Sequence, residues 1–303
     1  MKNFGDILMK AVKEKNSALI CGLDPNLDYF PLFLKDTDMS EEKVGNAIFE
    51  FNKIVIDAVH ESVVAVKPQL AYYEVFGSYG IRALEKTIKY AKSKNLIVIH
   101  DAKRGDIGST SVAYAEAFLG NGSMAGDMVT VNPYLGSDGY LPFVNKAEKN
   151  GKGIFMLLKT SNPSSSELQN LTLENGNLLY EELANNIKKV TEETVGENGY
   201  SFIGAVVGAT HPMEAEKIRK ELPHTPFLVP GFGAQGGDVD KMKVFFDKDG
   251  LGAVISSSRG IIYSYTKKVD DWKNISEKEM GRIIGEKAKN DNELINRVRL
   301  AKY

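Results

Sequence analysis

Short apolar runs and longer amphipathic stretches alternate along the whole chain. The runs are Ala18–Leu23, Val63–Val66, Leu96–Ile99, Met128–Val131, Ile154–Leu158, Phe202–Val207, Phe227–Val229 and Ala253–Ile255. Between them, apolar residues recur at helical spacing: Ile48, Phe51, Ile54/Val55 and Ala58/Val59, then Ala83, Leu84, Ile88 and Ala91, then Val112, Ala115, Phe118 and Leu119. In the second half the spacing predicts helices near 178–190, after Pro212, over about 239–246 and over about 280–301. Runs that are apolar at consecutive positions are buried on both faces, and strands alternating with helices form a parallel sheet. Eight such units predict one closed (β/α)8 (TIM) barrel, an α/β fold with extra loop and helix insertions. The open doubly wound sheet is the structural alternative.

Nothing in the chain reads as an interdomain linker or a low-complexity tract, so residues 1–303 are read as a single barrel domain with its core at about 18–262. Three connections exceed the two to six residues usual in such units, at about 29–44, 161–177 and 260–279. The middle one, opening Ser161-Asn162-Pro163-Ser164-Ser165-Ser166, reads as a mobile loop at the barrel mouth. The last, with Tyr263, Tyr265 and Trp272, reads as packing on the outer wall.

Composition narrows the function more by exclusion than by suggestion. With 303 residues, 43% hydrophobic and 26% charged, the chain can bury a large core. A net charge of -2 leaves no basic footprint for nucleic acid. The longest apolar runs, about six residues, fall far short of a membrane span. The opening Met1-Lys2-Asn3-Phe4-Gly5-Asp6 lacks the apolar core of a signal peptide. Cys21, the single cysteine, excludes an intramolecular disulfide and a cysteine-based zinc site, and inside an apolar strand it reads as a buried structural thiol. Four scattered histidines offer no HExxH spacing. The expectation is a cytoplasmic, metal-independent protein.

In a barrel of this kind chemistry sits where the strands end. The residues there are Asp24, Lys67, Asp101 with Lys103, Asn132, Ser161, Thr210, Pro230 and Arg259. Singly, a charged residue after a strand is where the chain meets solvent. Together, the first three strands bring Asp, Lys, and Asp plus Lys to one opening, and Asp101 and Lys103 share a face by the two-residue period of a strand. The stretch Asp101-Ala102-Lys103-Arg104-Gly105-Asp106 then turns at Gly105 towards a helix. After the seventh run, Gly231-Phe232-Gly233-Ala234-Gln235-Gly236-Gly237 has four glycines in seven residues. Such a loop lets backbone N–H groups approach an anion, and Arg259 after the eighth run adds a charged fork for phosphate oxygens. Three other residues carry no functional reading: His100, set between Ile99 and Asp101, faces outward as structure, His211 sits in a loop, and nothing in the spacing places Lys159 at the mouth.

These residues together resemble the orotidine 5′-phosphate decarboxylase family. Its Asp-x-Lys-x-x-Asp signature is matched by Asp101, Lys103 and Asp106, and the longer form Asp-Ala-Lys-Arg-Gly-Asp-Ile-Gly-Ser-Thr is similar to the subfamily of longer bacterial enzymes. Pro230-Gly231-x-Gly233-Ala234-Gln235-Gly236-Gly237-Asp238 resembles the family's phosphate-gripping loop, and Ser257-Ser258-Arg259 its strand-eight phosphate arginine. Asp24 and Lys67 fall where the family has its strand-one aspartate and strand-two lysine, and Ser161-Asn162-Pro163 resembles the stretch whose serine contacts the pyrimidine.

The resemblance, covering about residues 18–262, implies decarboxylation of orotidine 5′-phosphate to uridine 5′-phosphate (UMP), the last step of de novo UMP synthesis, without metal or cofactor. It implies Lys103 as proton donor in a Lys-Asp-Lys-Asp array with Lys67, Asp101 and Asp106, and substrate binding by Asp24, Thr110, Ser161, Pro230, Gln235 and Arg259. It also implies a homodimer, since the second aspartate and the threonine (Asp106 and Thr110) reach the partner subunit's site. Two rivals remain. A Mg²⁺-dependent phosphosugar lyase of the same superfamily has an acidic ligand where this chain has Lys67, and a non-catalytic phosphate-binding barrel would keep the phosphate loop while losing the proton donor.

Overall fold

The apolar runs close into a barrel of eight parallel strands. They are β1 (Leu19–Leu23), β2 (Ala65–Pro68), β3 (Ile97–Arg104), β4 (Met128–Val131), β5 (Gly153–Lys159), β6 (Ile203–Val207), β7 (Phe227–Pro230) and β8 (Ala253–Ser257). The computed structural model describes residues 3–35, 38, 40–231 and 239–301, of which 239 and 240 are described by backbone alone. Each strand pairs with the next, and Leu19, Ile20 and Cys21 of β1 pair with Ile255, Ser256 and Ser257 of β8. That last pairing removes both sheet edges and rules out the open sheet.

The helices are α1 (Phe4–Glu14), α2 (Glu41–Val59), α3 (Ala71–Glu74), α4 (Gly77–Ser93), α5 (Gly108–Leu119), α6 (Ser137–Asn150), α7 (Ser165–Gln169), α8 (Leu179–Glu192), α9 (Pro212–Glu221), α10 (Arg259–Ile262), α11 (Tyr265–Lys268) and α12 (Glu277–Arg299). No helix among the described residues is long and apolar enough to cross a membrane. Helix α1 precedes the barrel and seals its floor. Phe4, Leu8, Met9 and Val12 are buried, and the Asp6 carboxylate accepts from the backbone N–H groups of Glu197 and Asn198 below β6. With the floor closed, the opposite end of the barrel is the open one.

Two expectations change, and a third gains a detail. The helix read over 239–246 is a 3₁₀ segment, Val239–Phe245, in which the three-residue step from Met242 to Phe245 puts two buried side chains on one face. The connection after β5 is tied down rather than loose: Lys159 Nζ donates to Asn170 Oδ1 (2.6 Å), while Thr160 N and Oγ1 bond the Gln169 amide (3.0 and 2.7 Å). The segment after β8 packs against the outer helices, as expected, and also reaches the exit of β1. Tyr263 and Tyr265 turn in against Tyr29 and Phe51, and the Tyr265 hydroxyl donates to Tyr29 O, because the aromatic residues of the 27–30 connection offer an apolar bed next to the exit of β1.

His100 faces outward from β3, buried against Phe118 of α5 at 5.2 Å between ring centroids. Burial pushes its pKa down from 6.5 to about 4. A base held neutral in the fold stabilises it fully above the unfolded pKa, and that contribution fades as pH falls from about 6.5 towards 4. Urea unfolding is therefore expected to show wild type losing about 2 kcal/mol more than His100→Gln between pH 7 and pH 4.5. Parallel losses in the two proteins would show that the imidazole is not held neutral.

Candidate active site

The centre of the open end is built by a distortion of β3. His100 pairs with Val129 and Arg104 with Val131, so residues 101–103 face the single residue Thr130 of β4. Lys103 at the crest has φ +47°, a conformation that costs a non-glycine residue about 1 kcal/mol. Thr130 Oγ1 pins the bulge: it accepts from Lys103 N (2.9 Å) and donates to Asp101 Oδ1 (3.2 Å). Asp101 and Lys103 do share one side, as the two-residue period predicts, but the bulge is what lets their side chains meet.

Asp101 is the hub. Its Oδ2 accepts from Lys67 Nζ (2.7 Å) and Gln69 Nε2 (3.0 Å), and its Oδ1 from Lys103 Nζ (2.5 Å) as well as Thr130. Burial alone would raise the carboxyl pKa; the Lys67 and Lys103 ammonium groups outweigh it and hold the group down at about 2. Burial likewise opposes charge on Lys67, yet Asp101 and Asp24 raise its pKa. Lys67 is thus a fixed buried cation. Lys103, with its side chain 46% exposed, presents its ammonium to the opening.

Asp24 follows β1 directly, and one carboxylate oxygen, Oδ1, is buried without a hydrogen-bond partner. Burial raises its pKa, opposed first by the charge of Lys67 and then by a hydrogen bond from Ser258. Gly22 makes this approach possible, since a Cβ there would lie 1.8 Å from Ser258 Oγ. Arg259 opens α10 immediately after β8, exposed, and its charge also reaches Asp24. Pro230 ends β7 opposite Ser256, and Gly231 beyond it has φ +102°. Gln235 and the remainder of the glycine-rich loop lie outside the described residues. Ser161 is packed against Gly208, where a Cβ would come within 2.8 Å, and its carbonyl accepts from Thr210 Oγ1.

Within this chain the charged array comprises Lys67, Asp101 and Lys103, the part of the expected Lys-Asp-Lys-Asp array that one subunit supplies. Asp106 lies two residues beyond the end of β3, and its Oδ1 accepts from Ile107 N (2.8 Å). Thr110 is exposed in the first turn of α5. Gln69 and Thr130 were not anticipated from the sequence. For Thr130 the only signal was one hydroxyl inside the apolar run Met128-Val129-Thr130-Val131. Cys21 is buried with its thiol pKa pushed up by burial, as suits an inert structural side chain.

A closed (β/α)8 barrel with a dense Lys-Asp-Lys cluster at the strand ends defines an enzyme-like scaffold whose site is electrostatic in character. The chain belongs to the orotidine 5′-phosphate decarboxylase / HUMPS family, whose model matches residues 19–275. It is 44% identical over 282 residues to the orotidine 5′-phosphate decarboxylase of Caldicellulosiruptor saccharolyticus, covering 89% of this chain and 92% of that protein. It is 42% identical over 279 residues to the Clostridium tetani enzyme of the same name, covering 92% and 94%. Among solved structures it resembles the Leishmania donovani OMP decarboxylase, with TM-score 0.75 and 31% identity over 99% of this chain and 100% of that one.

Proposed function

We propose that this protein is a carboxy-lyase that converts orotidine 5′-phosphate to UMP without metal or cofactor. The observation that carries the reading is the Asp101 carboxylate held ionised between two ammonium groups, one buried and one facing the opening. When the bond from pyrimidine C6 to the carboxyl carbon breaks, its electron pair stays on C6 and carbon dioxide leaves. The Lys103 ammonium stabilises that carbanion and transfers a proton to it, and the neutral amine regains a proton from solvent. Asp101 lies beside the departing carboxylate and disfavours its negative charge. Lys67 keeps Asp101 ionised and aimed. Arg259, Pro230 and Gln235 bind the phosphate remote from the reacting carbon, Ser161 meets the pyrimidine, and Asp24 binds the nucleotide between them.

The family also includes phosphosugar lyases, and Lys67 separates this chain from a magnesium-dependent site: a buried ammonium at the end of β2 repels a divalent cation. The retained Lys103 separates it from a barrel that only binds phosphate. Loss of orotidine 5′-phosphate absorbance should therefore proceed at the same rate with and without EDTA. Turnover abolished by EDTA would instead favour the magnesium-dependent reading, and no turnover at all the non-catalytic one.

The enzyme acts as a cytoplasmic homodimer in which Asp106 and Thr110 complete the partner's site. Supporting this, Ile107, Val112, Tyr134 and Leu135 are 55%, 52%, 74% and 49% exposed around the exits of β3 and β4, an apolar patch next to both residues. Mixing inactive Asp106→Ala with inactive Lys103→Ala should restore activity to about a quarter of wild type when subunits exchange at random, since half the dimers are mixed and each carries one intact site. Absence of any recovery after verified exchange would mean each subunit is self-sufficient.

A further inference from the structure

The segment after β8 reaches back to the exit of β1 and holds it from two directions. Ser258, one residue past β8, adjoins Asp24 and helps to hold its carboxyl pKa down against burial. Four residues past Arg259, the Tyr263 hydroxyl donates to Asp24 O (2.7 Å) and accepts from Asn26 N (2.6 Å). One oxygen thus bridges both ends of the turn Asp24-Pro25-Asn26, whose middle residue has a fixed φ. The phenol is in turn fixed by its ring, which lies 4.7 Å from Tyr29 and 5.7 Å from Phe51 between centroids, with Tyr265 edge-on at 6.5 Å. What this bracing presents is Asp24 Oδ1, buried and without a partner, next to Lys67 and the charge of Arg259. A buried acceptor left open at a nucleotide site calls for a donor from the ligand. Between a phosphate near Arg259 and a base near Lys103, the donors a nucleotide offers are the ribose hydroxyls.

We propose that Tyr263 is a positioning residue for nucleotide recognition: its phenol sets the Asp24-Pro25-Asn26 turn so that Asp24 accepts a hydrogen bond from a ribose hydroxyl. The assignment rests on the functional reading above. It gives the 260–279 connection a task at the mouth, and it separates Tyr263 from the cluster around Asp101, which it does not touch.

The test compares UMP with 2′,3′-dideoxyuridine 5′-phosphate, by calorimetric titration of the full-length wild type and of Tyr263→Phe, which keeps the ring and loses both hydrogen bonds. Tyr263→Phe should weaken UMP about tenfold and change the dideoxy nucleotide by less than about twofold. In an Asp24→Ala background the same substitution should cost UMP less than about twofold, because the group being aimed is gone. Equal losses for both nucleotides, no loss for either, or an undiminished loss in the Asp24→Ala background would overturn the assignment while leaving the functional reading intact. A wild type that fails to bind UMP would overturn both.

Discussion

Lys103→Ala is expected to lower kcat for orotidine 5′-phosphate by about 10⁴-fold or more, the combined scale of a lost general acid and a lost electrostatic contact to developing charge. The loss should fall on kcat, because the ammonium acts most strongly on the negative charge that develops at C6 in the transition state and is absent from the bound substrate. UMP, which has no carboxylate at C6, should bind the variant within about tenfold of wild type. Folding should change by no more than about 1 kcal/mol, since the side chain is 46% exposed and Asp101 keeps Lys67, Gln69 and Thr130 as donors. The backbone at φ +47° strains alanine as it strains lysine. Lys103→Arg should not rescue, because a guanidinium keeps its charge but is far too weak an acid to release a proton. Single-turnover measurements with each variant decide the matter. An alanine variant within about a hundredfold of wild type would place the proton donor elsewhere.

The parts of the fold that follow from local periodicity were open to reading from the chain. Every strand of the barrel corresponds to an apolar run, and the charges of β1, β2 and β3 lie at strand ends as the runs place them. What periodicity does not carry is departure from regularity. The bulge in β3 depends on a tertiary contact, Thr130 bonding both Lys103 N and Asp101, so the alternation of β3 alone does not reveal it. Helix α1 had a legible stripe in Phe4, Leu8, Met9 and Val12, but no strand precedes it to mark it as a barrel unit. The inward turn of Tyr263 and Tyr265 was hidden for a different reason. Aromatic side chains pack equally well on an outer wall or a mouth, and the reach to the exit of β1 is made through partners more than two hundred residues away, Asp24 and Tyr29. Asp106 was the subtlest: its place in the motif signals a role in the site, while within one chain its carboxylate oxygen accepts from Ile107 N.

Asp101→Ala should damage stability and activity together, and the two effects can be separated through Lys67. In wild type the Asp101 carboxyl sits at about 2 against an ordinary 3.8. A depressed carboxyl stabilises the fold above its unfolded pKa and loses that contribution as pH falls through the folded one, so at neutral pH the full amount, about 2 kcal/mol, is present. Removing the carboxylate also strands the Lys67 ammonium, whose side chain is only 7% exposed, and breaking one half of a buried pair costs about 3–5 kcal/mol. Asp24 remains nearby to offset part of that charge, which places the expected loss near the lower end, about 3 kcal/mol by urea unfolding at pH 7. Adding Lys67→Met to Asp101→Ala removes the stranded cation and fills its stem volume. The double variant should recover most of the lost stability, because a buried pair replaced by apolar groups is often neutral. Activity should not recover, since both charges that orient Lys103 are then absent. A double variant as unstable as Asp101→Ala alone would mean that the cluster is held by packing rather than by charge, and Asp101 would lose its place as the hub.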